Sequence, residues 1–365
     1  MTRFVLAAGT TATAWIDGLS AVDADPDLLS HAPSADAELI EYGHLVRAPA
    51  VPTSPTPAAV TRAVREQVGF ETLVVDAGLA EPTGAPTVDV GANPGRDVRE
   101  ADPVPTAPGA WVAARDLGRA LSDDELVIGE TIPGGTATAL GVCRALGVDC
   151  EEPRSSGNSE EPRSSGNSEE PRSSGNSEEP RSPDDGEAAV PISSSHPENT
   201  LALKRAVVDA AFEASDVDPG EAAYRPKLAV RFLGDPVLAV VAGLAAGALE
   251  SGTEVVLGGG TRMLAVVALL RHAGVAAPLT VATTTYVADD ATPSPAADAL
   301  DCDLVVTDPG FEGRDDALAR YAAGEATAGA GMGGALLLAE RAGALGRVAD
   351  GTLEVVERLT ESHGP

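Results

Sequence analysis

Apolar residues along this chain fall into short unbroken runs, separated by longer stretches where they recur every three or four positions. Residues 4–8 (FVLAA), 71–76 (ETLVVD), 127–128, 227–233 (KLAVRFL), 254–257 (EVVL), 279–284 and 303–307 read as strands. Residues 56–67, entered through Pro57, and 111–121, 137–146, 197–212, 236–249, 263–272, 336–344 and 353–361 read as helices. Segments 16–51 and 81–109 read as loop-rich. Unbroken apolar strands alternating with amphipathic helices are what a parallel sheet needs, because crossover helices cover both its faces. The expected fold is α/β, a mostly parallel, Rossmann-like, doubly wound sheet with helices on both faces. Ligands of such sheets sit beyond the C-terminal strand ends.

The stretch 127–147, VIGETIPGGTATALGVCRALG, is the most informative of these junctions. It reads as a strand, a turn carrying Glu130, the pair Gly134-Gly135, and a helix that Thr136 would cap. Backbone N–H groups at such a helix start suit an anion, and a carboxylate beside them suits proton abstraction from a bound substrate. An ordinary strand-to-helix turn with a solvated glutamate fits the spacing equally well. Other candidates gather at strand ends: Asp76, the run Gly258-Gly259-Gly260-Thr261 opening a helix, and Asp308 with Gly310. Gly329–Gly334 (GAGMGG) matches GxGxxG, with Gly331 and Gly333 approaching a ligand, but no strand precedes it and no acid-tipped strand follows. An oxidoreductase reading is therefore disfavoured. Neither lysine follows a glycine, which excludes a Walker A loop. Ser193–Ser195 read as helix caps, and His196 beside them is the one histidine in a suggestive place.

Composition narrows the class. The 365 residues carry 56 acidic against 25 basic side chains, a formal charge of -31, and only Lys204 and Lys227 are lysines. That balance reads as adaptation to concentrated salt, and it disfavours nucleic-acid partners, which need basic stripes. Dilution from molar salt to roughly 0.1 M is expected to lower the melting temperature, as unscreened surface carboxylates repel. A calorimetric melting point that does not move between those conditions would refute halophilic adaptation. Three cysteines without CxxC spacing point to a reducing compartment, and scattered histidines argue against a metal site. The run 236–249 falls short of the roughly 20 residues of a membrane span, and no signal peptide is evident. A cytoplasmic, soluble protein is expected. The unit EEPRSSGNS starts at Glu151, Glu160 and Glu169 and begins again at Glu178. With nothing apolar to bury, 151–188 reads as a disordered insertion between halves 1–150 and 189–365 of one α/β domain.

ADAELIEYG (35–43), IGETIPGGTATALGV (128–142), SSSHPEN (193–199), VVLGGGTRMLAVVALL (255–270), VATTTYVADD (281–290) and GMGGALLLA (331–339) together resemble the nicotinate-nucleotide–dimethylbenzimidazole phosphoribosyltransferase family, most closely its archaeal branch. The resemblance covers nearly the whole chain outside the repeats. It implies phosphoribosyl transfer from nicotinate mononucleotide to a benzimidazole-type base, without metal or cofactor, by a homodimer, for the nucleotide loop of cobamides. Glu130 matches the acid of the bacterial GExGxGNTT motif, Gly134 and Thr136 match its later Gly and Thr, and Ile132 replaces a glycine. In the run matching the bacterial GEGxGAAL, residues 329–336, Ala330 stands in the acid's place, so Glu325 is the nearest acid and the second catalytic candidate. A protein that keeps the nucleotide pocket and has lost the chemistry is the alternative.

Overall fold

The computed structural model describes residues 1–20, 26–49, 56–148, 201–291, 293–324 and 329–362. Seven strands form one sheet: β1 (Thr2–Ala8), β2 (Glu71–Asp76), β3 (Thr87–Asp89), β4 (Glu125–Thr131), β5 (Glu254–Gly258), β6 (Thr280–Thr284) and β7 (Asp303–Thr307). Their order is β3-β2-β1-β4-β5-β6-β7, and every pairing is parallel. The order reverses direction between β1 and β4, where Ala7 pairs with Glu130 and Ala8 with Thr131. That is the switch point at which crossover connections diverge and leave a crevice.

The helices are α1 (Pro26–Tyr42), α2 (Pro57–Val68), α3 (Ala107–Ala120), α4 (Gly135–Leu146), α5 (Leu201–Ser215), α6 (Pro226–Leu233), α7 (Pro236–Glu250), α8 (Arg262–His272), α9 (Thr285–Ala291), α10 (Ser294–Ala299), α11 (Ala319–Ala322), α12 (Met332–Arg341) and α13 (Val348–Ser362). Alternation along the strands sends neighbouring side chains to opposite faces. Val5, Leu126, Ile128 and Leu257 pack under Leu140 of α4, Val241 of α7 and Val266 of α8. Phe4, Leu6, Val127 and Val256 pack under Val60 of α2, Leu336 of α12 and Val355 of α13. Helix α7 is buried on every side, which its sequence PVLAVVAGLAAGALE permits because no polar face needs water.

Four expectations are corrected. Residues 227–233 are helical: Pro226, Ala229, Val230 and Leu233 are buried, and that spacing of three and four belongs to α6. The stretch 16–51 contains the long helix α1, which runs through Pro33 and so escapes a reading that ends helices at proline. Thr136 does not cap α4. Gly134 takes the cap position at φ 73°, and a Cβ there would stand 2.8 Å from Ala14 Cα. The loop-rich 81–109 contributes the short edge strand β3. The 151–188 repeat, Ser193–Ser195, His196 and Glu325 lie outside the described residues. Among the described residues, no helix is long and apolar enough to cross a membrane.

Candidate active site at the end of the fourth strand

The last two residues of β4 point to opposite faces and gather a carboxyl network on each. Glu130 shares the face of Leu126 and Ile128 and is only 6% exposed. There its Oε1 lies 3.3 Å from Arg262 Nε, a charge contact lacking hydrogen-bond alignment. Arg262 opens α8 and is held on its other edge by Asp235, with Nη1 2.9 Å from Oδ2 and Nη2 3.3 Å from Oδ1. Asp235 caps α7 by accepting from Leu238 N–H at 3.0 Å, and it also accepts from Thr138 Oγ1 at 2.5 Å. Arg262 Nη1 donates in addition to the Gly135 carbonyl. A Cβ at 135 would collide with that guanidinium, so the glycine makes room for the arginine.

Glu130 Oε2 is buried and meets no hydrogen-bond donor among the described residues. Such an orphan is costly unless a proton or a ligand group fills the vacancy. Burial drives the Glu130 carboxyl above the usual range; Arg262 opposes the shift, while the charges of Asp235 and Asp36 add to it. A buried carboxyl so raised, with one bare oxygen, is equipped to exchange a proton.

On the other face, Thr131 Oγ1 donates to Asp36 Oδ2 at 2.6 Å, and Thr56 Oγ1 donates to Asp36 Oδ1 at 2.6 Å. Thr56 also caps α2 and, through its carbonyl, accepts from the buried Tyr321 hydroxyl at 2.7 Å. Ala330 is tied into the same region: its N–H donates to the Glu130 carbonyl and its own carbonyl accepts from Thr61 Oγ1, both at 2.8 Å. It is 1% exposed and holds φ 46°, a left-handed conformation unusual for alanine.

Burial pushes the Asp36 carboxyl up to about 6, against the hydrogen bonds from Thr131 and Thr56. A carboxyl raised on folding favours the native state fully below its unfolded value near 3.8, and that contribution is lost as pH climbs through about 6. Asp36→Asn, uncharged throughout, is therefore expected to be more stable than the parent at neutral pH by at most about 2–3 kcal/mol, with the advantage gone below pH of about 4. Denaturant unfolding at the two pH values measures it; an equal difference at both would refute the shift.

The other sequence candidates are dispersed. Gly258, Gly331 and Gly333 seat α12 directly on the sheet. A Cβ on Gly258 would lie 2.8 Å from Gly334 N, and one on Gly333 would strike the Ala282 carbonyl. A Cβ on Gly331 would enter the Phe4 ring, and one on Gly129 would lie 2.5 Å from Gly331 Cα. Gly259 packs on Met263, and Gly260 and Thr261 form the first turn that delivers Arg262. Asp76 turns back to accept from Gly78 and Leu79 N–H at 2.9 Å, two strands from β4. Asp308 accepts from Gly310 N–H at 2.8 Å at the end of β7, three strands or about 14 Å from β4. The structure thus gathers Glu130, Gly134, Gly135, Thr136 and 258–261 and leaves Asp76, Asp308 and Gly310 apart. Sequence reasoning missed Asp36, Asp235 and Arg262. Arg262 had a signal: a charge heading a helix with no polar face has to be buried.

No family model matches the chain. A UPF0284 protein of Halobacterium salinarum is 51% identical over 367 residues, spanning 98% of both chains. One from Methanosarcina mazei is 35% identical over 348 residues, spanning 92% of this chain and 88% of its own. Among solved structures, nicotinate-nucleotide-dimethylbenzimidazole phosphoribosyltransferase from Thermus thermophilus is similar, with a TM-score of 0.56 at 17% identity over 95% of this chain and 82% of that one. At that identity the likeness is one of fold.

Proposed function

The chain belongs to the UPF0284 family, and from that premise we propose that it transfers phosphoribose from nicotinate mononucleotide to a benzimidazole-type base. The product would be an α-ribazole phosphate for the cobamide nucleotide loop. The observation that carries this reading is the bare, buried Oε2 of Glu130 at the switch point, on a fold similar to that of an enzyme with this activity.

In this reading an azole nitrogen attacks C1′ of the ribose while the C1′–N bond to the pyridinium breaks. The bond electrons return to the ring and nicotinate leaves neutral at nitrogen. The azole N–H proton passes to Glu130 Oε2. Positive charge building on the ribose in the transition state is favoured by the carboxylates of Glu130, Asp235 and Asp36, which outnumber the single guanidinium of Arg262. The starts of α4 and α8 open at this strand edge and offer N–H groups to the phosphate. Glu325 is the second proton-transfer candidate on sequence grounds.

Ala330 favours a second reading, a nucleotide-binding protein without transfer activity, because it buries a methyl where the bacterial motif has an acid. One assay separates the two. In molar salt with both substrates, equal amounts of nicotinate and new ribotide by chromatography support the transferase. Nicotinate alone indicates hydrolysis and a wrong acceptor. Neither product, with calorimetric binding of the nucleotide intact, favours the second reading.

A further inference from the structure

Away from β4, a cavity of about 510 Å³ lies among α3, α6 and the last turns of α7 and α8. That volume lies within the range of small-molecule pockets. Helix α8 connects the two regions, with Arg262 at one end and His272 at the other. Ten residues at about 1.5 Å each put roughly 15 Å between them.

The charge of its wall departs from the rest of the protein. In a chain where acids outnumber bases 56 to 25, the lining contains Arg115, Arg225, Lys227 and Arg231 and a single acid, Glu250. Three of these cations are held in place: Arg115 by Glu250 at 2.5 Å, Arg231 by Asp102 at 2.6 Å and Arg225 by Glu221 at 3.6 Å. Lys227, half-buried at the start of α6, meets no carboxylate among the described residues. A lysine left without a counterion can take an anionic ligand with no carboxylate to displace.

Beside it stands an aromatic platform. Tyr224 is 83% exposed and sits at φ 59°, a strained conformation for a tyrosine. Its N–H donates to His272 Nδ1 at 3.1 Å, and the two rings lie 5.4 Å apart. Burial holds the His272 imidazole below its ordinary value, which keeps Nδ1 available as an acceptor. Trp111, 3% exposed, lines the cavity as well, and no described group accepts from its indole N–H. Exposed aromatic faces next to fixed cations suit a planar ring that carries an anion.

We propose that this cavity is a second ligand site, taking a nucleoside monophosphate with its base against Tyr224 and His272 and its phosphate on Lys227 and Arg231. The proposal is independent of the reaction assigned to Glu130. Adenosine monophosphate is the probe, titrated by calorimetry in the intact protein at high salt, with fluorescence followed in a Trp15→Phe variant that leaves Trp111 as the sole tryptophan. Saturable binding is expected, weakened at least about tenfold by Lys227→Gln and by Tyr224→Ala and retained by Lys227→Arg, with melting temperatures unchanged. Absent binding, or binding that neither variant weakens, overturns the proposal. Inorganic phosphate binding as tightly as the nucleotide would also overturn it, since the aromatic faces would then contribute nothing.

Discussion

Glu130→Gln lowers the turnover number for phosphoribosyl transfer by about 10²–10⁴-fold and leaves the protein folded. The amide keeps the shape of the side chain and can still face Arg262 Nε, while Asp235 continues to hold the guanidinium. What it loses is the ability to accept a proton at the bare position. The parent is expected to gain rate with rising pH as Glu130 ionises, through a pKa that burial sets above the ordinary glutamate value. That acid limb disappears in the variant. Single-turnover kinetics across pH, beside calorimetric nucleotide affinity, separate the possibilities. An unaltered rate with weakened affinity would make Glu130 a binding group and remove it from proton transfer.

Arg262→Gln is expected to have the largest effect on stability, a loss of about 3–5 kcal/mol at neutral pH. The guanidinium faces two buried carboxylates and also donates to the Gly135 carbonyl, so its removal leaves charge without a partner. With the Arg262 charge that opposes its rise gone, Glu130 rises further. A raised carboxyl stabilises the fold in acid and loses that contribution as pH rises, so the deficit should shrink on acidification. It should also be smaller in the Glu130→Gln background, because the two side chains share one interaction. Denaturant unfolding of the single and double variants measures both effects. A loss below about 1 kcal/mol would mean that water already screens the cluster.

The parts of this architecture that were legible in the sequence are those encoded locally. The apolar centres of ETLVVD and EVVL, Val74-Val75 and Val255–Leu257, are buried on both faces and therefore lack polar alternation, which marks β2 and β5 as parallel-sheet strands. Glu130 was legible because it sits at a strand-to-helix junction. KLAVRFL misled because a short apolar run, broken only by Arg231, imitates a buried strand, whereas Pro226 and the packing of Ala229, Val230 and Leu233 select a helix. The short, largely exposed β3 carries almost no apolar signal. The partners of β4 were invisible for another reason. Asp36, Asp235 and Arg262 lie far apart in the chain and meet only because β1 and β5 flank β4. Neither Asp235 nor Asp36 differs locally from an ordinary cap or a surface helix residue.

The seating of α12 limits what this chain can become. Helix and sheet meet there through hydrogen atoms and backbone alone, at Gly129 against Gly331, Gly258 against Gly334, and Gly333 against the Ala282 carbonyl. One methyl at any of these contacts pushes a whole helix away from the sheet and drags residues 329–331 off the carbonyl of Glu130. Met332 to Ala339 are all buried, so free sequence drift on α12 is confined to its last turn, at Glu340 and Arg341, while the side against the sheet stays glycine. An alignment would display the same stripe whether or not any of those glycines ever touched a substrate.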